Sequence, residues 1–285
     1  MEIYIPCEFA VQIAGADCIT RFEYCFRLPT EVYRKNPLLQ RIFQQEKRFM
    51  IHTAKRVSLF CGHYGSGKTN IAVNYALALK ASGKDVRIAD LDIVNPYFRT
   101  KDSMDVLTQA GIPLISPAYA NSNVDLPALP QELYGLVQQR QSYAVLDIGG
   151  DDRGAYALGR FVPYILEEQN YEMFCVVNFY RPLTQTAEDT AAIMREIEAA
   201  AHLPFTAIIN NSNLGEETSA YDILSTCDEC KKLASMVNLP IACTSVQEDL
   251  LPSLKREAEH RQMKEINFFP MTLQKKYFDI EPFDR

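Results

Sequence analysis

The 285-residue chain is 47% apolar and 23% charged, the balance of a globular protein with enough apolar side chain for one sizeable core. Its formal net charge of −7, without a long basic run, gives no clear nucleic-acid surface. No apolar stretch approaches the roughly 18–20 residues of a membrane span, and the opening MEIYIPCEFAVQIAG carries Glu2 and Glu8 without the cationic start of a signal peptide.

Residues 1–49 hold three cysteines and several aromatics but no clear period. Two readings of them stay open. They are an accessory segment, with Met50 as an alternative start of the chain, or a cap of one strand and one helix, because PLLQRIFQQEKRF has helical spacing. The main domain is set at 50–285. It begins with an apolar run, RVSLFC (56–61), followed by an amphipathic helix over 70–83 that stops at Gly83. DVRIADLD (85–92) and IPLISP (112–117) read as strands, LPQELYGLVQQRQ (129–141) as a helix, and YAVLDIGG (143–150) as a buried strand. Further on come a helix over 153–169 around Pro163, the strand 171–179, and a helix over 184–201 with Thr184 as a candidate cap. The strand 205–211, a helix over roughly 217–236 and the strand 240–246 complete the series. The tail INFFPMTLQKKYFD reads as an aromatic segment packed on the core. Strands alternating with helices imply parallel pairing through right-handed crossovers.

The chemistry concentrates in LFCGHYGSGKTN, where G-x-x-x-x-G-K-T runs from Gly62 to Thr69 between a strand and a helix. Gly62, Gly65 and Gly67 let backbone N–H groups turn around phosphate oxygens. His63, Tyr64, Ser66 and Asn70 complete the candidate nucleotide-binding loop. Lys68 can bridge β- and γ-phosphates, Thr69 can ligate Mg²⁺, and the helix start adds partial positive charge. A magnesium shell also needs a carboxylate, and Asp147 ends the strand YAVLDIGG where it can serve. Asp147-Ile148-Gly149-Gly150 reads D-x-x-G, so the Gly150 N–H can sense a γ-phosphate. Asp90 and Asp92 end the second strand and can reach the metal or an attacking water; Asp151 and Asp152 read as solvated loop acids.

GHYGSGKT, DLD followed by a proline, DxGG and the INN strand end together resemble the MinD/ParA/CobQ group of P-loop ATPases, within the wider SIMIBI class that includes the signal-recognition GTPases. The resemblance covers about residues 50–285 and is narrowest to an uncharacterised bacterial branch of that group. It implies a three-layer α/β P-loop NTPase fold, with a mostly parallel sheet of about seven or eight strands and helices on both faces. It implies ATP and Mg²⁺ as cofactors, and nucleotide-dependent homodimers in many members. By that likeness Asp92 positions the attacking water, Asp90 and Asp147 serve the magnesium shell, and Asn210 contacts adenine, with Asn211 as its rival. Members usually carry a lysine at the position of His63 that reaches across a dimer. A neutral imidazole is shorter, so Arg99 or Arg153 is a candidate for the missing charge.

The resulting expectation is a cytoplasmic, Mg²⁺-dependent ATP-binding switch that hydrolyses ATP slowly, catalysed through Lys68 and Asp92, and acts on an unidentified protein partner. Eight scattered cysteines suit a reducing compartment. Two alternatives use other residues: an iron–sulfur or metal carrier built on Cys227 and Cys230 of CDEC, and a small-molecule kinase or ligase with its pocket near Asp151, Asp152 and Arg153.

Overall fold

The computed structural model describes residues 37–91, 103–116, 131–138, 140–150, 158–263 and 266–273. Eight strands form one sheet: β1 (Val57–Cys61), β2 (Val86–Leu91), β3 (Leu114–Ile115), β4 (Tyr143–Ile148), β5 (Tyr171–Val177), β6 (Ala207–Asn210), β7 (Ile241–Gln247) and β8 (Phe268–Met271). Their order is β3-β2-β4-β1-β5-β6-β7-β8, and every neighbouring pair is parallel. From β1 the chain lays down β2 and β3 on one side, returns to insert β4 between β1 and β2, then crosses to the other side of β1 to lay down β5 to β8. The carboxyl end of β1 is therefore the topological switch point, where open α/β sheets bind ligands.

Strand alternation assigns the two faces. Val57, Leu59 and Cys61 of β1 join Ala144, Leu146 and Ile148 of β4, and Met173, Cys175 and Val177 of β5, in one core. Helices α4 (Gln131–Gln138), α5 (Val162–Glu168), α6 (Ala187–Ala201) and α8 (Cys227–Val237) supply residues to this face. Phe60, Val145, Phe174 and Val176 point the other way, under α2 (Lys68–Ala81), with α1 (Pro37–His52) and α3 (Met104–Gln109) contributing at its flanks. A third cluster joins β7 and β8 to α1, α7 (Ala220–Ser225) and α9 (Leu251–His260). Helices thus cover both faces of the eight-stranded sheet, as the alternation of elements implies. This is the P-loop NTPase α/β fold.

Several expectations change in detail. The helix after β1 is not amphipathic: ten of its fourteen residues are buried, so it is a central helix packed on most sides. The helix expected over 217–236 is a short 3₁₀ turn (Gly215–Glu217) followed by α7 and α8, which break at Thr226. There the Thr226 hydroxyl donates to the Ile223 carbonyl (2.8 Å) and accepts from the Asn210 amide (3.1 Å). A buried hydroxyl bonded to its own backbone competes with helix continuation. Thr184 does not cap α6; Thr186 does, accepting from the Asp189 N–H at 3.1 Å, while the Thr184 hydroxyl donates to the Asn178 carbonyl at 2.7 Å. The tail contributes a strand. Phe268, Phe269 and Met271 are buried in β8, and residues 274–285 lie outside the described chain.

The division drawn between residues 49 and 50 falls inside α1. Phe43 packs in the third cluster and Met50 and Ile51 under the sheet. Lys47 pairs with Glu248 at 3.1 Å, and Lys255 with Glu46.

Candidate functional site

The loop after β1 lies at the switch point. Gly62, Gly65 and Gly67 have φ of 147°, 76° and 85°, values that favour glycine. Space fixes two of them a second time. A β-carbon on Gly62 would stand 2.2 Å from the Val176 carbonyl oxygen, and one on Gly67 would stand 2.3 Å from the Asn211 amide nitrogen. Ser66 Oγ is buried and has no hydrogen-bond partner among the described residues.

Lys68 opens α2 and is 5% exposed. Its ammonium donates to the His63 carbonyl at 3.3 Å, and no carboxylate among the described residues lies within salt-bridge distance of it. The Thr69 hydroxyl, one residue on, donates to Asp147 Oδ2 at 2.7 Å. The strand pleat explains that contact: Asp147 shares a strand face with Val145, the face that lies under α2. Asp90 is in register with Asp147 on the neighbouring strand and is also buried. Two carboxylates and a hydroxyl thus sit together, the hard-oxygen donor set that Mg²⁺ prefers. Gly150 packs against the loop. A β-carbon on it would stand 2.7 Å from the Tyr64 nitrogen and 2.9 Å from Lys68 Nζ.

The remaining predicted residues divide. The half-buried His63 ring contacts the Tyr64 carbonyl at 3.1 Å, Tyr64 is exposed, and Asn70 lies in the first turn of α2, its carbonyl accepting from the Asn74 amide at 2.9 Å. Asn210 is buried at the end of β6 with its amide engaged at both ends. It donates to Thr226, and its oxygen accepts from the Ser212 hydroxyl at 2.7 Å. Its neighbour Asn211 turns to the loop instead, donating to the Ser66 carbonyl at 2.6 Å and accepting from the Ser245 hydroxyl of β7. Asp92, Arg99, Asp151, Asp152 and Arg153 lie outside the described residues.

Two residues that sequence reasoning did not select support the loop, one of them indirectly. One is Ser245, held to Asn211 from a strand distant in sequence. The other is Arg181, in the turn after β5, whose Nε–H donates to the Gly65 carbonyl at 3.0 Å. The only signal for Arg181 was its place just after an apolar strand that neighbours β1 in the sheet.

Cys227 and Cys230 are buried in different clusters. Cys227 packs with Ile223 and Leu254, and Cys230 with Leu233 and the central core. Burial pushes the Cys227 thiol up to about 11 and the Cys230 thiol up to about 12. In the metal-free chain both shifts favour the neutral, less reactive thiol. No group of three or more His, Cys, Asp or Glu side chains placed to hold a metal ion occurs among the described residues. No helix among them is long and apolar enough to cross a membrane.

No protein-family model matches the chain, and comparison with curated proteins gives no match. Among solved structures, the cell division protein FtsY of Thermotoga maritima superposes with a TM-score of 0.50 at 17% identity, over 72% of this chain and 70% of that one. FtsY of Mycoplasma mycoides covers 74% of this chain and 69% of its own, at 17% identity and a TM-score of 0.47. At 17% identity the likeness to the Thermotoga maritima protein concerns the fold.

Proposed function

We propose that the protein is a Mg²⁺-dependent ATP-binding switch ATPase. The observation that carries this reading is the setting of Lys68. A buried ammonium with one carbonyl contact is unfavourable unless an anion joins it. The glycine-rich loop around it fits a phosphate chain, and Ser66 Oγ offers an unused buried polar atom beside it.

In this reading the loop amides and Lys68 grip the β- and γ-phosphates. Thr69 and Asp147 hold the metal, with Asp90 beside them, and Asp92 orients the attacking water. Mg²⁺ supplies charge neutralisation at the transferring phosphoryl group. Gly150, packed against Lys68 and Tyr64, registers whether the terminal phosphate is present and relays it to a protein partner or a second copy of the chain. For the base, Asn211 stands nearer the loop than Asn210, and although its amide is bonded at both ends, one of its two N–H groups makes no hydrogen bond among the described residues. The turn leaving β6, Asn210-Asn211-Ser212-Asn213, offers amides and a hydroxyl, not the carboxylate that pairs with the two N–H donors of a guanine edge. That composition favours ATP over GTP.

Competition for a fluorescent triphosphate tests the reading. ATP is expected to displace the probe at least about tenfold better than GTP, and chelation of Mg²⁺ is expected to weaken both by a factor on the order of ten or more. Equal displacement by both nucleotides contradicts the ATP assignment. Indifference to chelation contradicts the metal assignment.

A further inference from the structure

Arg181 lies beside the loop without having been drawn into it by any sequence motif. The turn that carries it, residues 178–186, is tightly built. The Arg181 N–H donates to the Asn178 carbonyl (3.1 Å), the Thr184 N–H to the Arg181 carbonyl (3.0 Å), and the Thr184 hydroxyl to the Asn178 carbonyl (2.7 Å). The Asn178 side chain is itself fixed, accepting from the Tyr180 N–H at 3.0 Å and donating to the Asn213 carbonyl at 3.1 Å. Tyr180 anchors the far side through its hydroxyl, which donates to the Asp222 carbonyl at 2.9 Å. This rigid frame aims one exposed side chain across to the loop.

The guanidinium lies against Gly65. A β-carbon there would stand 3.3 Å from Arg181 Nε and 3.5 Å from Cζ. Only Nε–H is used, on the Gly65 carbonyl; the two terminal nitrogens make no hydrogen bond or ion pair among the described residues. A planar cation is thus held against the loop through Nε, on a residue that is exposed.

The sheet order decides what passes over that face. Thr69 and Asp147 mark the metal side of the loop, toward β4. A metal held by these residues would neutralise the charge of the terminal phosphates, which puts the terminal phosphate on that side. The α-phosphate and the nucleoside must leave on the opposite side, across the ends of β5 and β6. Arg181 stands at the end of β5, and Asn211 at the end of β6.

We propose that Arg181 is a nucleoside-binding residue, its guanidinium plane forming a platform for the ribose and purine of the bound nucleotide. The inference rests on the nucleotide reading above and adds a subsite to it. A guanidinium stacks on a π-face and tolerates any purine, so Arg181 contributes affinity and Asn211 selectivity.

The test compares Mg²⁺–ATP with Mg²⁺–tripolyphosphate, which has the phosphates and no nucleoside, on the wild-type chain, Arg181→Ala and Arg181→Lys. Arg181→Ala is expected to weaken ATP about tenfold and tripolyphosphate less than about twofold. Arg181→Lys, which keeps the charge and loses the plane, is expected to recover little of the ATP affinity. An equal loss on both ligands overturns the proposal in favour of a phosphate or loop-positioning role, and unchanged ATP affinity overturns it outright. A wild-type chain that holds tripolyphosphate no worse than ATP also overturns it while leaving the phosphate site standing. A wild-type chain that binds neither ligand removes the nucleotide reading itself.

Discussion

Two buried cations at opposite ends of the central strands carry the same charge and do opposite work. At the amino end Arg56, 7% exposed, is saturated. It pairs with Glu168 through both Nε (2.5 Å) and Nη2, and donates to the carbonyls of Leu136, Val137 and Ser142 at 3.2, 3.0 and 3.1 Å. Two of those carbonyls lie at the end of α4, where backbone acceptors and the helix dipole favour a cation. Arg56 thereby ties β1, α4, the start of β4 and α5 into one unit. At the carboxyl end Lys68, equally buried, has a single carbonyl contact. The difference teaches how to tell a structural charge from a functional one. On the reading proposed above, the structural charge has its partners inside the chain, and the functional one sits in a cradle and awaits a partner from outside.

The largest expected effect breaks the amino-end charge. Arg56→Ala leaves the buried Glu168 with only the distant Arg140, 3.9 Å away, and is expected to cost about 3–5 kcal/mol of folding stability, read by urea unfolding. Nucleotide affinity of the folded fraction is expected to stay within about twofold, because the site lies across the sheet. A stability loss below about 1 kcal/mol would mean that Arg56 is not the staple described.

Next in size is Asn211→Ala. It removes the bonds to the Ser66 carbonyl and the Ser245 hydroxyl and is expected to cost about 1–3 kcal/mol. Unlike Arg56→Ala, it should weaken nucleotide binding as well, because it unties the loop. Calorimetric melting and binding measured on one preparation check both. Loss of stability with unchanged binding would place Asn211 with the structural residues.

The smallest effect is again at the amino end. Burial raises the Glu172 carboxyl above its ordinary range, partly offset by the hydrogen bond from the Lys55 N–H at 2.7 Å. A folded-state value above the unfolded one means that protonation favours the fold. The contribution is fully present below the unfolded value and is lost as pH rises through the folded one. Glu172→Gln, which keeps the acceptor and removes the charge, should therefore raise the melting temperature at pH 7 by no more than about 4 °C. The gain should shrink toward zero near about pH 4. A gain that grows on acidification would reverse the sign assigned to this group.

The same contrast explains what the sequence made legible. Alternating apolar runs and helix formers reveal a doubly wound parallel sheet, and G-x-x-x-x-G-K-T marks the glycine-rich loop at its switch point, because both are local patterns with a backbone reason. The Thr69–Asp147 contact follows from strand parity once β4 is placed beside β1. The roles of Asn210 and Asn211 did not emerge: they are adjacent, and a pleat that reverses with each residue separates a core amide from a loop buttress only when the register is known. Arg181, Ser245 and the Arg56 staple depend on contacts between segments far apart in the chain, which no window of sequence displays. The eighth strand was hidden for a related reason. Its FFPM has no alternation, and both faces are buried because α1, α2 and α9 contribute to the clusters around it.

Calorimetric titration of the wild-type chain and Lys68→Ala with Mg²⁺–ATP, alongside their unfolding curves, tests the central claim most directly. The expected result is one saturable site in the wild type, a loss of about a hundredfold or more in the variant, and a variant at least as stable as the wild type without ligand, since a buried and poorly compensated charge has been removed. Equal affinity in both proteins, or a variant that unfolds as readily as Arg56→Ala, would show that Lys68 belongs to the scaffold and that its ammonium does not await a phosphate.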